Sequence, residues 1–204
     1  MKIAIIGTGN VGAALAKGWA KAGHEILLAL RDTNNFKGKE LLAQKNISAQ
    51  PIATAIKTAE VLLIATPPDV VNELAKAIVD VKDKVIIDAT NSIRSSPAGY
   101  ANASEALRAL TNCADIVKCF NSTGFENMEN PIYDDKGIDM FVAGDSVKGK
   151  EIAKQLAKDL GFEECYDFGG NDKIALLEQF ALAWINLAIM QKQGRGIAFK
   201  VIKR

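Results

Sequence analysis

Between Lys2 and Ile6 the chain is apolar almost without a break, the pattern of a parallel strand buried on both faces. Glycines follow at Gly7, Gly9 and Gly12, and from Asn10 to Ala22 Val11, Leu15, Gly18 and Trp19 recur at helical spacing before Gly23 stops the run. A second strand is predicted over Glu25–Leu30. The alternation continues with strands at Val61–Ala65, Val85–Ala89 and Ile116–Phe120, separated by helices at Val70–Val79 and Ala103–Leu110. Strands alternating with helices imply a parallel sheet covered on both sides. Beyond it, Asn121–Asp135 reads as a loop, followed by a strand at Met140–Val142, a helix at Val147–Leu160 and a strand at Glu164–Phe168 that extends the sheet. The stretch Ile174–Gln193 is apolar on every side, so a helix there must be buried on more than one face.

The turn Gly7-Thr8-Gly9-Asn10-Val11-Gly12 gives this pattern a chemical meaning, because it follows a strand and opens a helix. Gly7 permits a tight turn, Gly9 lets the backbone approach a pyrophosphate, and Gly12 lets the helix pack on the strand. Free N–H groups at the helix start then face the phosphates. The expected fold is α/β, a Rossmann-type doubly wound, mainly parallel sheet with a C-terminal helical extension. Residues 1–170 would form the dinucleotide-binding domain, and residues 171–204 a helical segment suited to a dimer contact.

Where an NAD-preferring site places a carboxylate at the end of the second strand, this chain has Leu30 and Arg31. The planar fork of Arg31 suits a ribose 2′-phosphate and favours NADP(H), although Asp32 could instead take Arg31 as a partner. Thr66 and Pro67 end the strand at Ala65 and could wall the nicotinamide side, with Asn91-Ser92 and Asn121-Ser122-Thr123-Gly124 at the next two strand ends. Plain turn chemistry would explain the same residues. His24 is the only histidine and falls at the opposite edge of the sheet, where a surface or capping role is expected. No acid–base catalytic residue and no metal-ligating set stand out. Hydride exchange between a nicotinamide and a flavin-like ring asks mainly for orientation and desolvation, whereas carbonyl reduction asks for a proton donor.

A net charge of +1 offers no field to draw the chain onto nucleic acid or an anionic membrane. Cys113, Cys119 and Cys165 match neither a zinc site nor a redox pair, which points to a reducing compartment. The first apolar run is too short for a leader, and no uninterrupted apolar stretch reaches the roughly 20 residues of a bilayer span. A cytoplasmic protein acting on a small molecule is the expectation.

The segments MKIAIIGTGNVG, ATPP, KCFNSTGFENM, MFVAGD and WINLAIMQKQGRGIAFKVIKR together resemble the NADP oxidoreductase family that depends on coenzyme F420. The resemblance spans essentially the whole chain. It implies that Gly7, Thr8, Gly9, Asn10, Val11 and Gly12 hold the pyrophosphate, Arg31 the 2′-phosphate, and Thr66 with Pro67 the nicotinamide side. It further implies a flavin or deazaflavin as second substrate and a homodimer. Two other functions fit the residues: an NADPH-dependent reductase of a small carbonyl or imine, and a non-enzymatic NADPH-binding redox sensor. The short tail after Asn171 leaves little room for the larger helical domain that carbonyl and imine reductases use.

Overall fold

The computed structural model describes residues 1–204. In chain order the elements are β1 (Lys2–Ile6), α1 (Asn10–Lys21), β2 (Glu25–Leu30), β3 (Ile47–Pro51), α2 (Ile52–Thr58), β4 (Val61–Ile64), α3 (Val71–Ala77) and β5 (Val85–Asp88). They continue with α4 (Ala103–Leu110), β6 (Asp115–Lys118), α5 (Phe125–Glu129), β7 (Ile132–Tyr133), β8 (Lys136–Gly137), β9 (Asp139–Ala143), α6 (Val147–Leu160), β10 (Glu164–Gly169) and α7 (Ile174–Ile185). Eight strands form one sheet in the order β10-β9-β6-β5-β4-β1-β2-β3, and β7 and β8 form a separate hairpin. Every pairing in the large sheet is parallel except β6 with β9, which meet antiparallel at Lys118 and Ala143.

The chain winds outward from β1 to β3, returns to β4 on the other side of β1, and winds outward again. The order therefore reverses between β1 and β4, and ligands of such sheets bind in the crevice outside the strand ends at that point. Both faces are sealed. On one, α1 and α6 pack through Leu15, Trp19, Ala153 and Leu156 onto Ile3, Ile5 and Val117. On the other, α2, α3 and α4 lay Ile56, Val71 and Leu107 over Ala4, Leu62 and Ile86. Small residues allow the helices to approach: a Cβ on Gly18 of α1 would stand 2.3 Å from Leu160 of α6. Ser146 caps α6 by accepting a hydrogen bond from the Gly149 N–H at 2.8 Å, and Gly161 ends it in the left-handed conformation at φ +97°.

Several expectations change. β3 was not anticipated: its Ser48, Gln50 and Pro51 look like a loop, and an edge strand tolerates them because only one side pairs. The stretch read as a loop over Asn121–Asp135 contains α5 and β7. The last helix stops short of Gln193, closing in a π-turn over Asn186–Met190. His24 is buried rather than a surface residue, because α6 covers its turn: Nε2 lies 2.9 Å from Asp159 Oδ2 and Nδ1 3.2 Å from the amino group of Met1.

α7 packs Ile174 and Leu177 on Phe141 and Ala143 of β9, where Phe168, Phe180 and Phe199 join an aromatic cluster. The helical run Asn171–Met190 is long and apolar enough to cross a membrane by composition alone, yet Ile174, Leu177, Glu178, Ala181 and Trp184 within it are buried in the fold. The tail then returns along β9, where the Asp139 N–H donates to the Phe199 carbonyl and Asp139 Oδ2 accepts from the Val201 N–H.

Candidate dinucleotide site and the charges beneath it

The glycines of the first turn have different reasons to be there. At Gly7, with φ +106°, a Cβ would stand 2.4 Å from the Ala65 carbonyl oxygen, and at Gly12 it would stand 1.9 Å from the Gly7 carbonyl oxygen. Packing alone demands both. A Cβ on Gly9 would meet nothing within 4 Å. Gly9 is the N-cap of α1 and offers no side chain to the first N–H groups, so the helix start stands uncapped over open space. Such an arrangement suits an anion. Lys37, from the loop after β2, reaches the same place and donates to Asn10 Oδ1 at 3.2 Å.

Two hollows flank the turn. The first, of about 440 Å³, lies between β2 and α3, with Leu30, Ile52, Val70 and Leu74 as apolar walls and Thr8 and Arg31 among its polar lining. Its shape and chemistry suit a purine and its ribose. Arg31 is exposed and makes no ion pair. Asp32 is occupied elsewhere, accepting from the N–H groups of Asn34 at 2.8 Å and Asn35 at 3.2 Å, and so does not hold Arg31.

The second hollow, of about 430 Å³, brings together Gly9, Asn10, Val11, Thr66, Pro67 and Asn91. Of the expected residues, Gly7, Thr8 and Arg31 line the first hollow, Thr66 borders both, and Gly12 lines neither, being buried where α1 packs on the turn. Asn91 has a narrower part than expected. Its Nδ2 donates to the Asn121 carbonyl at 3.1 Å, and its Oδ1 accepts from Asn121 Nδ2 at 3.0 Å, which fixes Asn121. Asn121 Oδ1, Thr66 Oγ1, Thr90 Oγ1 and Ser92 Oγ are buried without a partner in the protein. Four such atoms at the ends of β4, β5 and β6 are what a polar ligand would satisfy. Phe120, just before Asn121, is wholly buried at φ +60°, a conformation that disfavours a side chain and marks strain at the crevice.

Directly below lies a group that the sequence pattern did not single out. Lys118, at the end of β6, is fully buried and bridges Asp88 Oδ2 at 2.9 Å and Glu178 Oε1 at 2.8 Å. Ser104 donates to Asp88 Oδ2 at 2.6 Å and the Thr90 N–H to Asp88 Oδ1 at 2.8 Å. The Ser92 N–H donates to Glu178 Oε1 at 3.2 Å. Burial alone would push the Asp88 carboxyl up, but the Lys118 charge and these hydrogen bonds override it and hold it below the ordinary carboxylate value. Burial likewise opposes the Lys118 ammonium, and the two carboxylates raise it above its ordinary value. Both groups are ionised at neutral pH. Burial pushes the thiols of Cys113 and Cys119 up, so neither is poised as a nucleophile.

Residues 2–92, which contain the glycine turn, Arg31, Thr66, Pro67 and Asn91, match the family described as NADP oxidoreductase, coenzyme F420-dependent. Over those residues, just under half of the chain, it is similar to this family. The F420-dependent NADP oxidoreductase resemblance also extends past the matched segment. A protein named F420-dependent NADP reductase from Methanothermobacter thermautotrophicus is 28% identical over 94% of this chain and 91% of its own length. A solved structure from an Arthrobacter species, described as a candidate F420-dependent NADP reductase, superposes with a TM-score of 0.83 at 22% identity, covering 100% of both chains. A reductive aminase from Aspergillus terreus, solved with NADPH and ethyl levulinate, gives a TM-score of 0.70 at 19% identity, with 94% of this chain spanning 62% of that one. At those identities the solved structures establish the shared fold.

Proposed function

We propose that this chain is an NADP(H)-dependent oxidoreductase that passes hydride between the nicotinamide and a flavin or deazaflavin. The observation that carries the reading is the open Gly9 at an uncapped helix start, set between an apolar hollow with the unpaired Arg31 and a polar hollow bordered by the unpartnered hydroxyls of Thr66 and Thr90. These residues fit a dinucleotide. The turn Gly7–Gly12 and Lys37 take the pyrophosphate, Leu30, Ile52 and Val70 the adenine, and Arg31 the 2′-phosphate. Thr66, Pro67 and the Asn121 amide held by Asn91 bound the nicotinamide. When bound, the cofactor supplies a two-electron hydride donor. The protein orients it and excludes water, and two tandem prolines at Pro67-Pro68 stiffen that wall.

The exposed Leu176, Leu187, Ile189 and Met190 on α7 and its π-turn support a homodimer built on residues 171–204, with residues 1–170 as the binding domain. Three reduced, buried cysteines suit a cytoplasmic setting. The test is NADPH oxidation against deazaflavin, FMN, FAD, riboflavin, ketones and cyclic imines. Turnover with the tricyclic or isoalloxazine acceptors alone supports the proposal. Turnover only with ketones or imines replaces it with a carbonyl or imine reductase, and tight NADPH binding with no turnover points to a redox sensor.

A further inference from the structure

The Asp88, Lys118 and Glu178 cluster brings two carboxylates against one ammonium, all of them buried: side-chain exposure is 0% for Asp88 and Lys118 and 7% for Glu178. No second cation is paired with either carboxylate. By formal count, two carboxylates against one ammonium leave the cluster one uncompensated negative charge in a medium that screens poorly. Its position is specific. Besides Ser104 and Lys118, the hydrogen-bond donors to the two carboxylates are the N–H groups of Thr90 and Ser92, whose hydroxyl oxygens are buried and unpartnered, Thr90 bordering the polar hollow. Asn91, between them, lines the polar hollow. The positive groups of the site are exposed: Lys37 holds Asn10 at the glycine turn and also borders the polar hollow, and Arg31 lies at the first hollow, so water and salt screen both where the buried cluster is not screened.

We infer that this cluster makes the crevice hold the oxidised, cationic nicotinamide more tightly than the neutral reduced one. The inference rests on the dinucleotide reading of the crevice. The two forms of the cofactor have the same phosphates, ribose and adenine and differ by a unit of positive charge on the ring. A buried negative charge beneath the ring therefore acts on one form and not on the other. The consequence is a bound cofactor poised to give up hydride, because the site favours the product of that loss. Asp88, Lys118 and Glu178 act through the field and the loop they hold, without touching the ring. For a unit charge acting across about 10 Å at an effective dielectric of about 20, the discrimination is on the order of tenfold.

The test is a pair of dissociation constants, for NADP+ and NADPH, measured by calorimetry on the full chain. Wild type is expected to hold NADP+ the tighter by on the order of tenfold. Glu178→Gln keeps the shape and an acceptor for the Ser92 N–H but removes the net charge, and Asp88→Asn does the same from the other side. Each should bring the two constants close to parity by weakening NADP+ alone. A purely structural role would weaken both forms together and leave their ratio unchanged, which would overturn the inference. Should either variant fail to fold, the wild-type comparison decides: a wild type that holds NADPH as tightly as NADP+, or more so, is equally fatal. Failure of wild type to bind either form would instead remove the dinucleotide reading, and the inference with it.

Discussion

A Cβ on Gly12 would lie 1.9 Å from the carbonyl oxygen of Gly7, closer than any real side chain approaches a backbone oxygen. Gly9, midway between them, has nothing around its missing side chain. The glycines therefore separate by experiment. Gly12→Ala should cost about 1–3 kcal/mol of stability by overpacking. Gly9→Val should keep the melting temperature, since Gly9 at φ −70° and ψ −172° is in extended backbone open to any residue, yet lose NADPH binding. Thermal melts and calorimetry on both variants check this, and a Gly9→Val protein that binds NADPH normally would leave the turn without its ligand.

Arg31 is expected to read the 2′-phosphate. A charge-assisted contact of roughly 1.5–3 kcal/mol corresponds to a preference for NADPH over NADH of about tenfold to a hundredfold. Arg31→Glu should abolish that preference, with NADH affinity holding or rising as the new carboxylate meets the ribose hydroxyls. Parallel titrations at low ionic strength are needed because salt screens an exposed pair. Equal affinity of wild type for both cofactors would remove Arg31 from the site.

Asp88 links the buried charges to acid stability. Its carboxyl sits below the ordinary value of 3.8 in the folded chain, so its stabilising contribution is complete above 3.8 and is lost as pH falls through the lower folded value. Asp88→Asn should be less stable than wild type by about 3 kcal/mol at neutral pH, with the gap narrowing below 3.8. Urea unfolding of both proteins from pH 7 to about 2.5 measures the gap. A constant difference across that range would mean that Asp88 stabilises by shape alone.

The apolar residues left outside on α7 and its π-turn should be covered by a second subunit. Wild type is then a dimer at micromolar concentration, and Leu187→Asp combined with Met190→Asp should yield a folded monomer. Light scattering with circular dichroism tests both halves of the statement. A monomeric wild type would leave Leu187 and Met190 as ordinary surface residues.

The parts of the candidate site that are contiguous in the chain are legible in the sequence. β1, the glycine turn and α1 declare themselves because strand, turn and helix signals adjoin, and Arg31 follows from counting to the end of β2. Residues that meet only through the sheet are not. Asp88 and Lys118 lie 30 positions apart, and each looks like an ordinary charge at a strand end until β5 and β6 pair side by side. Glu178 is a single acid in an apolar helix, a hint of a buried partner that names no partner. Lys37 was invisible because its loop has no period. β3 was missed for an energetic reason: an edge strand needs fewer apolar residues, so its pattern fades into the loop around it.

The Ile197 carbonyl accepts from Trp184 Nε1 at 2.6 Å and from Asn127 Nδ2 at 2.8 Å, and Asn127 in turn holds the Thr123 hydroxyl oxygen at 2.7 Å. Asn127 and Ile197 are 70 positions apart. During synthesis the loop that ends β6 therefore waits, half-satisfied, while four further strands and two long helices leave the ribosome. The glycine turn can form early, but the segment that follows β6 is finished late, by a carbonyl from the returning tail.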